Sequence, residues 1–208
     1  MVFQFRPFLN ADPPALVDVW RSQPPLRGRM QPMSAGLLEV CVFSKQHFDP
    51  AGFVVATRDG KPVGFAHAGF APSPAGDRLT TDVGVIAMVM VHADLRDTPL
   101  ADELLHHAEQ YLESRGAKHI RGGGRAATSQ SYLGLYGGSE LSGVLESDAW
   151  QTALFTRNGY DPREEISVLQ RDLVSFRPPI SRDSRRLRRE VELRLGPPPA
   201  ATTWWQAG

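Results

Sequence analysis

A turn between an apolar run and an amphipathic segment carries the residues with the clearest chemical potential, within VHADLRDTPLADELLHHAEQYLESRG from Val91 to Gly116. Arg96 precedes the free backbone amides of a predicted helix start, and such amides together with a guanidinium can hold a phosphate. Asp97 adds a negative charge to this turn, and Pro99 removes one amide. Three interpretations stay open: a cofactor loop, a degenerate cofactor loop, or a well-capped helix.

Candidates for acid–base chemistry are fewer and weaker. Asp82 stands at the mouth of the apolar run TTDVGVIAMVMV, where a carboxylate could deprotonate an amine, although an exposed structural aspartate is the commoner interpretation. Tyr132, Tyr136 and Tyr160 could each protonate a leaving group, but no spacing places them beside the turn. The catalytic residues are therefore unknown from sequence, with Asp82 as a weak candidate.

The sequence predicts no metal site. His106 and His107 are adjacent in a predicted helix, so their side chains lie on different faces and do not converge on one ion. Cys41 is the only cysteine, which excludes an intramolecular disulfide and any C-x-x-C motif. Its apolar surroundings (LLEVCVF) predict a buried, inert thiol.

The elements that would position this turn follow from periodicity. The run GVIAMVMV is apolar without alternation, which predicts a central strand covered on both faces. Asp59-Gly60 between two β-like runs predicts a hairpin. After the turn, Leu100, Leu104, Ala108 and Leu112 form a helical stripe. Thr98 suits its cap, and Pro99 suits its first position.

Further helices and strands surround this unit, and Gly116 ends the central helix. The predicted strands are Phe3–Leu9, the two arms of the hairpin, the central run, 118–123 and 164–173, and the other predicted helices lie over 14–22, 34–46 and 148–158. The glycine-rich stretch Gly122–Gly143 is predicted to be a loop. This order is not a repeated β-α alternation, so we predict an α+β fold with a mixed, mostly antiparallel central sheet flanked by helices.

Composition describes a globular chain with no global attraction to nucleic acid or membranes. The 208 residues are 41% hydrophobic and 22% charged, with a net charge of +0. Neither a signal peptide nor an 18-residue apolar run is present, so a cytoplasmic location is the default expectation. The excess of 20 arginines over 3 lysines suggests a GC-rich bacterial genome.

The C-terminal residues differ from the rest in composition. We predict one domain over 1–175, and a linker with the start of a second, incomplete unit over 176–208. This segment holds seven arginines against three acidic residues, then a period-2 run (EVELRL) and the pair Trp204-Trp205. Exposed adjacent tryptophans would form an apolar patch, so a homodimer partner or a further C-terminal domain should cover them. The arginine run could touch nucleic acid, but a solvated linker is favoured because no recognition motif accompanies it.

Roughly from Phe3 to Val174, the element order resembles the GNAT family of acyl-CoA-dependent N-acetyltransferases. The family signature V-x-P-x-x-R/Q-x-x-G-x-G/A aligns with VHADLRDTPLA, in which Val91, Arg96 and Ala101 match. Ala93 replaces its proline, and Pro99 replaces a glycine. A later family helix, N-x-x-A-x-x-L-Y-x-x-x-G-F, aligns with DAWQTALFTRNGY.

The resemblance implies an N-acetyltransferase that uses acetyl-CoA as a co-substrate and no metal. It implies an acceptor amine on an unknown small molecule or peptide, and no nucleic-acid or membrane partner. The residues it assigns to the pantetheine arm are Val89 and Val91, and those it assigns to the pyrophosphate are Arg96, Asp97, Thr98, Leu100 and Ala101. Phe155 stands where the family carries a tyrosine that acts as a general acid. A non-catalytic acyl-CoA-binding or scaffold module is therefore the alternative function.

Overall fold

A computed structural model of the chain describes residues 2–45, 47–72, 79–125, 131–137 and 141–167, with positions 172, 174, 175 and 186. Nearly all of the segment 176–208, including Trp204 and Trp205, lies outside these residues, so the second unit stays a prediction. Within the described part of the chain, no helix is both long and apolar enough to cross a membrane.

A five-stranded sheet forms the centre of the protein, in the spatial order β1-β2-β3-β4-β5. Its strands are β1 (Gln4–Pro7), β2 (Phe53–Arg58), β3 (Lys61–Pro72), β4 (Leu79–Val91) and β5 (His119–Gly122). Neighbours pair antiparallel from β1 to β4, and β4 pairs with β5 in parallel. The sheet is thus mixed and mostly antiparallel, which confirms the predicted α+β class.

The hairpin and the central strand form where the sequence predicts them. Asp59 and Gly60 join β2 to β3 with positive φ angles of 53° and 77°, the pair of conformations that a two-residue type I′ turn requires. The run Gly84–Val91 is fully buried within β4. It lies beside β3 along its whole length, so it is not a helix or an isolated edge.

Four α-helices flank the sheet within the described part of the chain. They are α1 (Pro13–Arg21), α2 (Ala35–Leu38, continued by a π-helical turn over Glu39–Phe43), α3 (Leu100–Ser114) and α4 (Ala149–Arg157). Pro99 is the N-cap of α3 and not its first residue, and Gly116 follows the helix end with φ of 94°. The predicted stripe of α3 is buried against the sheet.

The sheet separates two hydrophobic cores. One contains Trp20 of α1 and Tyr132 from the turn 131–137, and the other contains Leu104 of α3 and Phe155 of α4. A bulge in β4 at Ala87, between the pairs His67↔Met88 and Ala68↔Ile86, places Ala87 in the first core beside Met88.

Three predictions of local structure need correction. The stretch 122–143 is not all loop, because β6 (Gly124–Arg125) pairs with β7 (Leu141–Gly143), and 131–137 forms a largely buried turn. Residues 161–167 are exposed and have no regular structure, so the first part of the predicted strand 164–173 is wrong. Most of the rest of that strand lies outside the described residues. Cys41 is half-buried, since the π-helical turn moves it to the rim of the first core.

The substitution Gly52→Ala is expected to lower the free energy of unfolding by about 1–3 kcal/mol. A Cβ atom at Gly52 would lie 2.3 Å from the Ala68 carbonyl oxygen and 2.8 Å from Tyr111 Cε1, so backbone has to move. Gly36→Ala is the matched control, because a Cβ atom there meets nothing within 4 Å. Urea unfolding curves measure both variants, and equal midpoints would contradict the prediction.

Candidate functional site

The parallel strands β4 and β5 separate halfway along β4. Their pairing runs from Val83↔His119 to Ile86↔Gly122, and Gly123 N–H still donates to the Ile86 carbonyl at 2.9 Å. Gly123 then adopts a φ of 86°, and the chain leaves β4 to form β6. Within the described residues, positions 87–91 of β4 therefore have a strand on one side only.

The peptide groups of Val89 and Val91 face this open edge. His92 N–H donates to the Val63 carbonyl at 2.8 Å, so position 92 is hydrogen-bonded across to β3. Residues of an antiparallel pair alternate between bonding to the partner and facing away from it. Val91 and Val89 consequently point their N–H and C=O groups away from β3. An extended ligand with amide groups could pair with this edge.

The edge leads directly into the turn before α3. Among the predicted cradle amides, Thr98 N–H already donates to the Leu95 carbonyl at 3.1 Å, and Leu100 N–H lies 3.4 Å from Thr98 Oγ1. The amides of Asp97 and Ala101 show no acceptor among the described residues. The structure thus brings together a small group of N–H donors at the N-terminus of α3, where the helix dipole favours an anion.

Salt bridges fix this helix end relative to α4. Asp102, in the first turn of α3, accepts hydrogen bonds from Arg157 at 2.8 Å and from Asn158 at 2.7 Å. The hydrogen bond from Arg157 is the main reason why the pKa of Asp102 lies below its usual value. The negative charge that Asp102 brings to the cradle is therefore compensated by Arg157.

The guanidinium of Arg96 points inward. Its Nη2 donates to Gln23 Oε1 at 2.5 Å, its carbon atom lies 4.9 Å from the centre of the Trp150 ring, and its Nε is buried without a partner. Burial lowers the pKa of Arg96, an effect that Asp148 partly offsets. Arg96 stays positively charged, and its buried Nε–H group shows no acceptor among the described residues.

Sequence reasoning missed a second buried arginine beside Arg96. The Arg29 side chain is 2% exposed, donates to the Pro24 carbonyl at 2.6 Å, and lies 3.6 Å from Asp148, while its Nε has no partner. Burial lowers the pKa of Arg29, and the neighbouring Arg96 adds to that effect. Asp148 also caps α4 and accepts a hydrogen bond from the Tyr136 hydroxyl. Two guanidinium groups thus share one carboxylate, so these three side chains together carry a net positive charge.

The structure does not bring Asp82 to this site. Asp82 lies nine positions before Val91 along β4, or roughly 30 Å at the usual rise of a strand, and four positions before the strand separation at Ile86, or roughly 13 Å. The Asp82 carboxylate is exposed and lies 2.8 Å from Lys118 Nζ, whose hydrogen bond lowers the pKa of Asp82. A lowered pKa makes the Asp82 carboxylate a weaker proton acceptor, and it lies before the strand separation, so Asp82 is poorly suited to act as the general base.

The tyrosine hydroxyls are engaged elsewhere, and a phenylalanine ring lies at the strand separation. Tyr132 meets His67 Nδ1 at 3.2 Å, Tyr136 donates to Asp148 at 3.1 Å, and Tyr160 donates to Glu109 at 2.7 Å. Phe155 packs so closely on Gly122, the last residue of β5 to pair, that a Cβ atom there would lie 2.6 Å from Phe155 Cε1.

Comparisons with known proteins agree with this architecture. The model of the acetyltransferase (GNAT) family matches residues 15–136. A ribosomal-protein-alanine N-acetyltransferase from Brucella melitensis biovar Abortus 2308 matches with a TM-score of 0.57 and 14% identity, over 81% of this chain and 99% of that one. The ribosomal-protein-S18-alanine N-acetyltransferase from Escherichia coli gives a TM-score of 0.50 and 17% identity, over 78% and 80%.

A third similar structure contains a derivative of coenzyme A. AAC(6')-Iy, in complex with the bisubstrate analogue CoA-S-monomethyl-acetylneamine, matches with a TM-score of 0.53 and 11% identity, over 83% of this chain and 99% of that one. No curated protein matches the sequence. At these identities, the solved structures show the shared fold.

Proposed function

Because the chain belongs to the acetyltransferase (GNAT) family, we propose that it transfers an acetyl group from acetyl-CoA to an amine of a small molecule or a peptide. The observation that carries this proposal is the open edge of β4, which ends at the N-terminus of α3. An edge of free peptide groups suits the amides of a pantetheine arm. A helix N-terminus with nearby arginines suits a diphosphate.

Each residue of the site receives a role in this proposal. The peptide groups of Val89 and Val91 bind the pantetheine arm, and the amides of Asp97, Leu100 and Ala101 bind the diphosphate. Thr98 shapes the turn without offering a free donor, because its amide and its hydroxyl group both already donate to the Leu95 carbonyl. Arg96, and Arg29 behind it, supply the positive charge.

The reaction forms a bond between the amine nitrogen and the acetyl carbon, breaks the bond between that carbon and sulfur, and delivers a proton to the departing thiolate. The chain orients the thioester along β4. Phe155, which packs against the strand separation, has no hydroxyl group to donate a proton. The amine must therefore arrive neutral, and the thiolate must take its proton from water or from the acceptor.

Two observations favour a second candidate, a non-catalytic acyl-CoA-binding or scaffold module. Pro99 removes one amide from the cradle, and Phe155 stands where the family carries a tyrosine, so the tyrosine hydroxyl group is missing. Both changes weaken catalysis and leave the open edge intact. Turnover with a panel of amines separates this candidate from the first, because both candidates bind acetyl-CoA.

Isothermal titration calorimetry with acetyl-CoA is the direct test of the proposal. We expect a dissociation constant in the micromolar range, and the 3′-phosphorylated nucleotide half of coenzyme A should bind more weakly than the whole. An absence of heat with millimolar acetyl-CoA would remove both candidates.

Replacing Pro99 by glycine is expected to tighten acetyl-CoA binding by up to about tenfold, because one charge-assisted hydrogen bond to the diphosphate is restored. Pro99 is the N-cap residue, and the Leu95 carbonyl already accepts from both the amide and the hydroxyl of Thr98. A new amide at position 99 would therefore stay free for a ligand.

Pro99→Ala is the matched control for this prediction. It restores the same amide without the flexibility of glycine, so both variants should gain affinity in calorimetry if the amide is the cause. If neither variant binds acetyl-CoA more tightly than the unmodified chain, position 99 does not contact the diphosphate.

A further inference from the structure

The C-terminal end of α1 lies directly on the open edge of β4. The Gln23 side chain is buried, and its Nε2 donates to the Val91 carbonyl at 2.8 Å and to the Val19 carbonyl at 2.8 Å. The preceding residue, Ser22, accepts the Ala93 amide on its Oγ at 3.0 Å. Ser22 and Gln23, which follow α1 directly, thus bind three positions at the end of β4 and the start of the turn, since Gln23 also accepts from Arg96.

The position of the Gln23 amide matches the place where a ligand amide would pair. The Val91 carbonyl points away from β3, so the Nε2 atom 2.8 Å from it lies on the edge from which β5 has diverged. A side-chain amide offers one N–H and one C=O group, as the amides of a pantetheine arm do. Two such groups cannot occupy the same place on one strand edge.

We propose that Gln23 occupies the donor-binding edge of β4 in the free protein and that acyl-CoA binding displaces its side-chain amide. This inference rests on the proposed function, since it names the residue with which the donor competes. Gln23 then determines how tightly the donor binds, without contacting the acceptor or the reacting atoms.

The same amide also restrains Arg96. Gln23 Oε1 accepts from Arg96 Nη2, while Arg96 Nε is buried without a partner beside the ring of Trp150. Displacement of Gln23 therefore frees the Val91 carbonyl and the Arg96 guanidinium together. The pantetheine arm would take the first of these groups, and the diphosphate would take the second. Binding of either half of acetyl-CoA thus favours binding of the other half.

Gln23→Ala is expected to tighten acetyl-CoA binding by about two- to tenfold, the change that corresponds to one net hydrogen bond that no longer has to be broken. The nucleotide half of coenzyme A should also bind more tightly, because Arg96 is freed. Gln23→Glu should weaken binding of the nucleotide half, because the new carboxylate would hold the Arg96 guanidinium in a salt bridge and would repel the diphosphate.

Gln31→Ala is the matched control. Gln31 lies in the same connection between α1 and α2 and donates to the Trp20 carbonyl at 3.0 Å, at the other side of α1's last turn. Its substitution should leave the affinity for acetyl-CoA unchanged. Thermal unfolding of all variants verifies that they are folded before titration.

The outcomes separate this inference from the proposed function. The inference and the proposed function are both supported if the unmodified chain binds acetyl-CoA, Gln23→Ala binds it more tightly, and Gln23→Glu binds the nucleotide half more weakly. Binding that weakens or stays equal in Gln23→Ala overturns the inference and leaves the proposed function standing. Binding by Gln23→Ala alone supports the inference and removes the proposed function for the unmodified chain, whose edge Gln23 would keep closed. Binding by neither protein overturns both.

Discussion

Phe155→Tyr is expected to raise the turnover number of the chain, by up to the roughly 10²- to 10⁴-fold that a positioned general acid contributes. The Phe155 ring lies on Gly122, where the β4–β5 pairing ends, and its Cζ atom is 3.0 Å from the position of a Cβ on that glycine. A hydroxyl group on Cζ would therefore be introduced at the strand separation. There it could protonate the departing thiolate. The unmodified chain should turn over at less than about 1 s⁻¹ with any amine.

Tyr160→Phe is the matched control for this change. The rings of Tyr160 and Phe155 are neighbours, with centroids 5.0 Å apart, but the Tyr160 hydroxyl donates to Glu109 at 2.7 Å. Removing that hydroxyl should leave turnover unchanged. Steady-state rates over a panel of amines, measured by thiol release, test both variants. Rapid acetylation by the unmodified chain, with no gain in Phe155→Tyr, would show that the missing hydroxyl is not limiting.

The parts of the fold that local sequence determines could be predicted. The Asp59-Gly60 hairpin follows from two residues that tolerate positive φ. The run Gly84–Val91 has no polar residue, so only a covered strand suits it. The apolar stripe of α3 follows from the helical spacing of its leucine and alanine residues. The turn at Arg96 joins these last two elements and was therefore located correctly along the chain.

The inner part of the site could not be predicted, because it joins residues that are distant in sequence. Arg29 meets Asp148 across 119 positions, and Gln23 meets Val91 across 68. No periodicity or spacing relates these residues. The direction of the Arg96 side chain depends on Gln23 and Trp150, and no pattern near Arg96 in the sequence indicates either contact. Sequence alone also gave no reason to expect β6 and β7, since strands of two and three residues carry no pattern.

The stability of the protein is expected to fall as the pH is lowered from about 6.5 to about 4, chiefly because of His67. This residue of β3 is fully buried, and desolvation lowers its pKa to about 4. Its imidazole is surrounded by the rings of Phe48, Phe53 and Tyr132, with centroids 5.2–5.6 Å away. Only the Tyr132 hydroxyl, 3.2 Å from Nδ1, is shown in hydrogen-bonding distance within the described residues.

The sign of the effect follows from linkage. Above pH 6.5 His67 is neutral in both the folded and the unfolded chain, so it adds no pH dependence. Between pH 6.5 and 4, His67 is protonated in the unfolded chain and neutral in the folded chain. The free energy of unfolding therefore decreases by about 1.4 kcal/mol for each unit by which the pH is lowered. The loss reaches about 3 kcal/mol and stops once the folded His67 is also protonated.

His67→Gln should remove this dependence and keep a hydrogen-bonding partner for Tyr132. Urea unfolding at several pH values from 4 to 7 measures the difference between the two proteins. His47, whose pKa burial also lowers, is present in both and cancels in that difference. His106→Gln makes the same chemical change on the exposed face of α3 and should leave the pH profile parallel to that of the parent chain. Parallel profiles for His67→Gln and the parent would mean that the folded protein accommodates the imidazolium, and that water or a shift of the Tyr132 turn reaches the first core.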